Sequence, residues 1–120
     1  MPFRPAGASL PLTTLAFEIL LALSEEDLHG YAILQAVEAR VPSLLPLRSG
    51  TLYRALVRLE DDGLIAAIEP NAPDTPDERR RVYHLTARGR EVASLEAERL
   101  AGQVAAARAR RLLPGSRRTR

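Results

Sequence analysis

The feature that most constrains the fold is a long helical segment near the carboxyl end, at residues 87–113. Thr86, directly before it, is a residue type that caps helix N-termini. A helix of about 27 residues is roughly 40 Å long. Because the rest of a 120-residue chain cannot cover such a rod, we expect part of it to require a partner.

Small and apolar residues recur along this segment at spacings of four, three, four and three. This alternation is typical of a coiled-coil seam. It predicts a homodimer, because an exposed amphipathic rod is rare in a monomer. The alternative is that the rod folds back onto the first helix of its own chain, and the two arrangements are compatible. The predicted dimerisation residues are Leu15 and Ile19 of the first helix with Ala93, Ala97, Leu100, Val104 and Ala107.

Two shorter helical patterns open the chain. The first runs from Leu12 to Leu23 after Pro11, with apolar residues on one helical face. The acidic run 25–27 ends it and is expected to cap a second helix that begins near Leu28. The second helix carries its apolar residues at Tyr31, Leu34, Val37 and Val41, and ends at Pro42.

A third helical pattern begins at about Ser49, a good N-cap residue. Leu52, Leu56 and Leu59 form its apolar stripe. Thr51, Arg54 and Arg58 fall on the opposite face. Three short helices with a basic third one are typical of a helix-turn-helix whose last helix enters a major groove. The alternative is a solvated surface with no ligand.

Two strand-like segments follow the third helix. Asp62-Gly63 ends the helix, and the run LIAAIE at 64–69 has strand character. After a loop rich in proline and acid, the run RRRVYHLT at 79–86 places Tyr83 and Leu85 on one face with Arg81. Two strands and a loop predict a wing, with Arg79, Arg80 and Arg81 at its base. The predicted fold is therefore mainly α with a small β-wing: a winged helix-turn-helix followed by a long C-terminal dimerisation helix.

The composition and the distribution of charge limit the classes of function that this chain can have. The net charge of +2 is divided unevenly: residues 1–78 hold five arginines against twelve acids, and residues 79–120 hold twelve against three. The basic half is suited to a polyanion, although the use of arginine alone, with no lysine, is also explained by a GC-rich genome. With no cysteine and two histidines, we expect no metal and no cofactor. The apolar run at 12–23 is too short and too polar for a membrane span, and no signal core precedes it, so we expect a cytoplasmic protein.

Four segments together resemble the PadR-like transcriptional regulators, in the short branch with a single C-terminal helix. They are LTTLAFEILLAL at 12–23, LHGYAIL at 28–34, SGTLYRALVRLEDDGLI at 49–65 and ERRRVYHLTARGRE at 78–91. The resemblance implies a winged-helix homodimer that binds operator DNA, usually as a repressor. It places Ser49, Gly50, Thr51, Tyr53 and Arg54 where the recognition helix faces DNA, and it assigns backbone contact to the run 79–81.

The remaining assignments follow the same hypothesis. Arg54, with Arg48 or Thr51, is expected at base edges and Arg58 at a phosphate. The sequence allows two roles for Tyr53, a core residue or a phosphate contact. Residues 29–31 are interpreted as packing residues, with Tyr31 in the core. Some family members respond to aromatic or cationic effectors between the subunits; the absence of tryptophan makes an aromatic pocket a poor fit here.

The predicted organisation is a flexible arm at 1–11, the DNA-binding domain at 12–86, the dimerisation helix at 87–113 and a basic flexible tail at 114–120. The predicted partners are double-stranded DNA, a second copy of the chain and a small-molecule effector, with no membrane. An alternative function is a protein-interaction adaptor, because Glu60, Asp61 and Asp62 follow the third helix directly. No arrangement of catalytic residues can be assembled from these motifs, so we expect no enzyme activity.

Overall fold

A computed structural model describes residues 10–42, 47–68 and 81–114. It contains four helices and a three-stranded antiparallel sheet within those ranges, which confirms the predicted mainly helical class with a small sheet. The elements are α1 (Thr14–Glu25), β1 (Leu28–His29), α2 (Gly30–Arg40), α3 (Ser49–Asp61), β2 (Ile65–Ile68), β3 (Val82–Leu85) and α4 (Ala87–Ala109). Residues 1–9 of the predicted arm, the loop at 69–80, and residues 115–120 of the predicted tail lie outside the described residues.

The core forms where α1, α2, α3 and the sheet meet. The predicted stripe of α3, Leu52, Leu56 and Leu59, is buried there. Burying a leucine side chain contributes about 1.5–3 kcal/mol, so this stripe fixes which face of α3 is left for solvent. The other core residues are Ile19, Leu20, Leu23, Ile33, Val37, Leu64, Ile65, Tyr83, Leu85 and Val92.

The helix starts differ from the sequence expectations. Helix α1 begins at Thr14, because the side chain of Thr13 accepts a hydrogen bond from the amide of Ala16 at 3.0 Å. The expected cap of α2 by the acidic run is wrong, since His29 occupies that position and its Nδ1 accepts from the Ala32 amide at 3.3 Å. Arg48, not Ser49, stands at the N-cap of α3, with no side-chain capping bond.

The two predicted strands pair with each other and run antiparallel, with Ile65 opposite Leu85 and Ile68 opposite Val82. A third strand, β1, was not predicted. It consists of two residues that pair with the other edge of β3, Leu28 opposite Tyr83 and His29 opposite Val82. The sheet therefore joins the start of α2 to the wing, and it displaces the start of α2 from the predicted Leu28 to Gly30.

Two predicted side-chain positions are wrong. Tyr31 is half-exposed and outside the core, because the buried face of α2 is formed by Gly30, Ile33 and Val37 and Tyr31 lies about 100° from Gly30 around the helix. Ile19 was assigned to the dimer seam, but its side chain is fully buried in the chain's own core. It has no surface left to offer a partner.

Helix α4 is shorter than the predicted 87–113. Thr86 caps its start as predicted, accepting from the Gly89 amide at 2.9 Å. It ends at Ala109, because Arg111 adopts φ 63° and the amide of Leu112 bonds back to the Ala107 carbonyl at 2.9 Å. This is the Schellman end of a helix, here with arginine at the left-handed position. The 23 residues of α4 span about 34 Å.

Within the described ranges, no helix is both long enough and apolar enough to cross a membrane.

Candidate nucleic-acid interface

Helix α3 is fixed along its inner face and at its carboxyl end. Its leucine stripe is buried, and its last turn closes through the amide of Leu64, which donates to the Leu59 carbonyl at 3.0 Å. Gly63 makes this possible, because its φ of 80° is a conformation that other residues rarely adopt. The outer face of α3 is therefore presented to solvent by a well-supported helix.

That outer face is basic. Arg48, Thr51, Arg54 and Arg58 are all exposed on it. Arg54 Nη2 lies 3.5 Å from Thr51 Oγ1, and none of the ion pairs found among the described residues involves these arginines. A shallow hollow on the same face is lined by Gly50, Tyr53, Arg54, Val57, Arg58 and Asp61. Unpaired guanidinium groups on a rigid helix are suited to phosphate and to guanine edges.

The remaining residues predicted for this interface divide into three groups. Ser49 and Gly50 are exposed in the first turn of α3. Tyr53 is only partly exposed: its ring packs against the core and its hydroxyl oxygen is buried. Arg81 lies directly before β3, is partly buried, and its carbonyl accepts from the Gly30 amide at 3.2 Å. Arg79 and Arg80 lie outside the described residues.

Two buried carboxylates, neither of which was among the predicted site residues, link other elements of the domain. Glu18 of α1 binds Arg40 of α2, with Oε1 at 2.8 Å from Nε. Glu96 of α4, 1% exposed, binds Arg99 through two contacts of 2.7 and 2.8 Å and accepts from the Leu12 amide at 3.2 Å. The only sequence signal was a lone acid on the apolar side of each helix, and the Arg40 partner is 22 positions away.

These contacts change the ionisation of the groups involved. The Arg99 hydrogen bonds hold the pKa of Glu96 below its ordinary value, assisted by the Leu12 amide and opposed by burial. The same pair raises the pKa of Arg99, and the hydrogen bond to Glu18 raises the pKa of Arg40. Glu96 is therefore ionised at neutral pH, and a charged link ties α4 to the segment that leads into α1.

The predicted seam of α4 begins on the domain and ends in solvent. Ala93 packs partly against the core, while Ala97 is exposed, Leu100 and Ala107 are partly exposed, and Val104 is 41% exposed. Leu15 of α1 is partly exposed and packs beside the core.

No group of three or more potential metal ligands occurs in the part of the chain that the structure describes.

Three helices, a small antiparallel sheet and a long terminal helix define a winged helix-turn-helix protein. The model of the transcriptional regulator PadR-like family matches residues 19–95, well over half of the sequence. The chain belongs to this family, whose members are transcriptional regulators and not enzymes.

The chain is also similar to individual proteins. A 37.1 kDa protein in transposon TN4556 of Streptomyces fradiae is 40% identical over an alignment of 89 positions that covers 72% of this chain. The match spans about a quarter of that relative (24%). Among solved structures, a PadR family transcription regulator from Clostridium difficile R20291 has a TM-score of 0.67 and 26% identity, covering 80% of this chain and 96% of its own.

A more distant structure shares the fold. A mutant of ZitR from Lactococcus lactis, in complex with DNA, has a TM-score of 0.57 and 19% identity, with coverage of 90% of this chain and 66% of its own.

Proposed function

We propose that this chain is a DNA-binding transcriptional repressor that binds a palindromic operator as a homodimer, with α3 of each copy in a major groove. The observation that carries this proposal is the outer face of α3. Three arginines and a threonine stand exposed there, on a helix whose other face is locked into the core. Since none of these arginines is in an ion pair within the described ranges, their charge is available to a polyanion.

The proposed role of each residue on this face depends on its position along α3. Residues near the start of a recognition helix reach base edges, so Arg54 reads bases with Arg48 or Thr51. Ser49 and Gly50 lie where the helix approaches the duplex, and Arg58, one turn beyond Arg54, holds a phosphate. The wing arginines, Arg79, Arg80 and Arg81, add backbone contacts, which position a protein on DNA without reading sequence. Tyr53 acts mainly through the core, as its packing supports.

The dimer contact is assigned to the seam of α4. Beyond Arg99 nearly every residue of α4 is exposed, because the domain ends there. Pairing through Leu100, Val104 and Ala107 buries this outer half, with Ala93, Ala97 and Leu15 at the inner edge of the contact. It also sets the separation of the two α3 helices, which must match half-sites about 34–36 Å apart. An effector that changes the crossing angle of the two α4 helices releases the operator, because the two α3 helices no longer match the half-sites.

Salt dependence of DNA binding tests this function. The ligand is a duplex recovered from a random pool by the purified protein, and binding is followed by fluorescence anisotropy. If a dimer neutralises about 6–10 phosphates, affinity should fall about a thousandfold or more between 50 and 200 mM salt. A flat response, or no discrete complex with any duplex at moderate salt, would contradict the proposal and favour a protein-interaction adaptor.

A further inference from the structure

The carboxyl end of α3 and the amino end of α4 are built from the same few residues. Gly63 and Leu64 close the last turn of α3, and Thr86 caps the first turn of α4. The Thr86 hydroxyl lies 2.7 Å from the Gly63 carbonyl and donates to it. The Thr86 amide donates to the Leu64 carbonyl at 3.1 Å. One threonine therefore bonds to the end of one helix while it caps the other.

Because Gly89 has no side chain, the two helix ends lie in direct contact. A methyl group at its α-carbon would stand 2.0 Å from the Leu64 carbonyl oxygen and 2.9 Å from the Leu64 carbonyl carbon. These are backbone atoms, which cannot turn aside as a flexible side chain can. The first turn of α4 is thus in backbone contact with the end of α3, and only glycine permits this approach. We call the set Gly63, Leu64, Thr86 and Gly89 the α3–α4 joint.

A second attachment stops α4 from pivoting about this joint. Two turns further along, the buried Glu96 carboxylate accepts from the Leu12 amide at 3.2 Å. Helix α4 is therefore fixed along its inner half: to the end of α3 at the joint, to the core through Val92, and to the segment before α1 through Glu96. Its outer half continues in the same direction without such contacts.

We propose that Thr86 is a positioning residue for operator recognition: through the α3–α4 joint it fixes the angle between the reading helix and the pairing helix, and so sets the half-site spacing that the dimer accepts. This inference rests on the proposed function. Thr86 touches no DNA in this scheme. Loosening the joint should broaden the range of accepted spacings, because each reader could then adjust to its own half-site.

The test compares Thr86→Val with wild type on a series of duplexes. The selected palindrome is altered by inserting or removing one or two base pairs between its half-sites. Two inserted pairs move a half-site by about 7 Å and turn it by about 70°. Wild type should lose about tenfold or more in affinity across this series, since a misplaced half-site forfeits its base contacts. Thr86→Val, which keeps the shape but lacks the hydroxyl, should vary by only about threefold across it.

Two matched variants separate positioning from stability. Thr13→Val removes the equivalent capping hydroxyl of α1, which accepts from the Ala16 amide. Thr13 follows Leu12, but the Leu12 amide that binds Glu96 is unchanged in this variant, so it should keep the sharp wild-type spacing profile. Thr86→Ser retains the hydroxyl and should restore that profile. A Thr86→Val dimer with an unchanged spacing profile would overturn the inference, as would a Thr13→Val protein that shows the same broadening. A wild-type protein that fails to dimerise or to bind the palindrome would instead overturn the proposed function.

A measurement on the wild type keeps the inference testable if Thr86→Val does not fold. The amides of Leu64, Thr86 and Gly89 all donate within the joint or to the helix end that it closes. If the joint opens as one unit, these three amides should exchange hydrogen with solvent at similarly slow rates. Fast exchange at Thr86 and Gly89 beside slow exchange at Leu64 would show that α4 separates freely from α3, against the inference.

Discussion

The inner and outer halves of α4 are one continuous helix with two different environments. The inner half, residues 87–99, holds the buried residues Gly89, Val92 and Glu96. A hydrogen bond from the Leu12 amide to the Glu96 carboxylate attaches it to the segment before α1. The outer half, residues 100–109, is almost entirely exposed. Helix α4 therefore belongs to the fold at one end and extends beyond it at the other. In the proposed function, the outer half makes the dimer.

The largest expected effect is a charge placed in the outer half. Val104→Glu puts like charges against each other across the seam, so we expect dimer and operator affinity to fall about a hundredfold or more. Thermal unfolding of the single domain should be unchanged, because the side chain lies outside it. Ala106→Glu, on the opposite side of the same exposed turn, is the matched control and should pair normally. Dimer affinity is measured by sedimentation and operator affinity by anisotropy. An equal loss of affinity in both variants would contradict the distinction between the seam and the rest of the exposed surface.

The second effect separates reading from pairing. Arg54→Ala should cost about 1–3 kcal/mol on the selected duplex, through a relaxed preference at one base position, and should leave the dimer intact. Arg80→Ala should weaken binding to all sequences alike, because a backbone contact carries no sequence information. Binding profiles on a library of single-base variants distinguish the two. Uniform loss in both proteins would contradict the assigned division of roles.

The third effect belongs to the inner half. Glu96→Gln removes the charge that binds Arg99 and the Leu12 amide, and we expect the free energy of unfolding at neutral pH to fall by about 2 kcal/mol. Because the folded-state pKa of Glu96 lies below the ordinary value of 4.5, its stabilising contribution is complete above that pH. It is lost as the pH falls through the folded-state pKa.

Urea unfolding at several pH values tests this pH dependence of the free energy of unfolding. The difference between wild type and Glu96→Gln should shrink as the solution is acidified from pH about 5 to about 3. A difference that stays constant over this range would show that the Glu96 charge does not hold α4 to the domain.

The smallest effect is at the N-cap of α1, where the Thr13 hydroxyl itself makes no bond to α4. Thr13→Val should reduce the free energy of unfolding by about 1 kcal/mol, since it removes a single N-cap hydrogen bond. Dimer affinity and base preference should not change. A loss of pairing in this variant would mean that the start of α1 contributes more to the assembly than the edge contact assigned to Leu15.

Strong local signals predicted much of this architecture. The leucine stripe of α3 and the cap at Thr86 were readable because each depends on residues within a few positions of one another. The exposed arginine face then followed from the stripe. The strand β1 was missed because two residues carry no periodicity; its partner β3 lies more than fifty positions away. Tyr31 was misplaced because Gly30, although small, occupies the buried face. The pairing of Glu96 with the Leu12 amide depends on a separation of 84 positions, which no local pattern reveals.

Sedimentation velocity on the full chain at micromolar concentration, with and without the selected palindromic duplex, measures the pairing directly. We predict a particle of twice the 13.2 kDa chain mass, and one such pair on each duplex. A particle of single-chain mass that stays single when the duplex is added would contradict the proposed dimer.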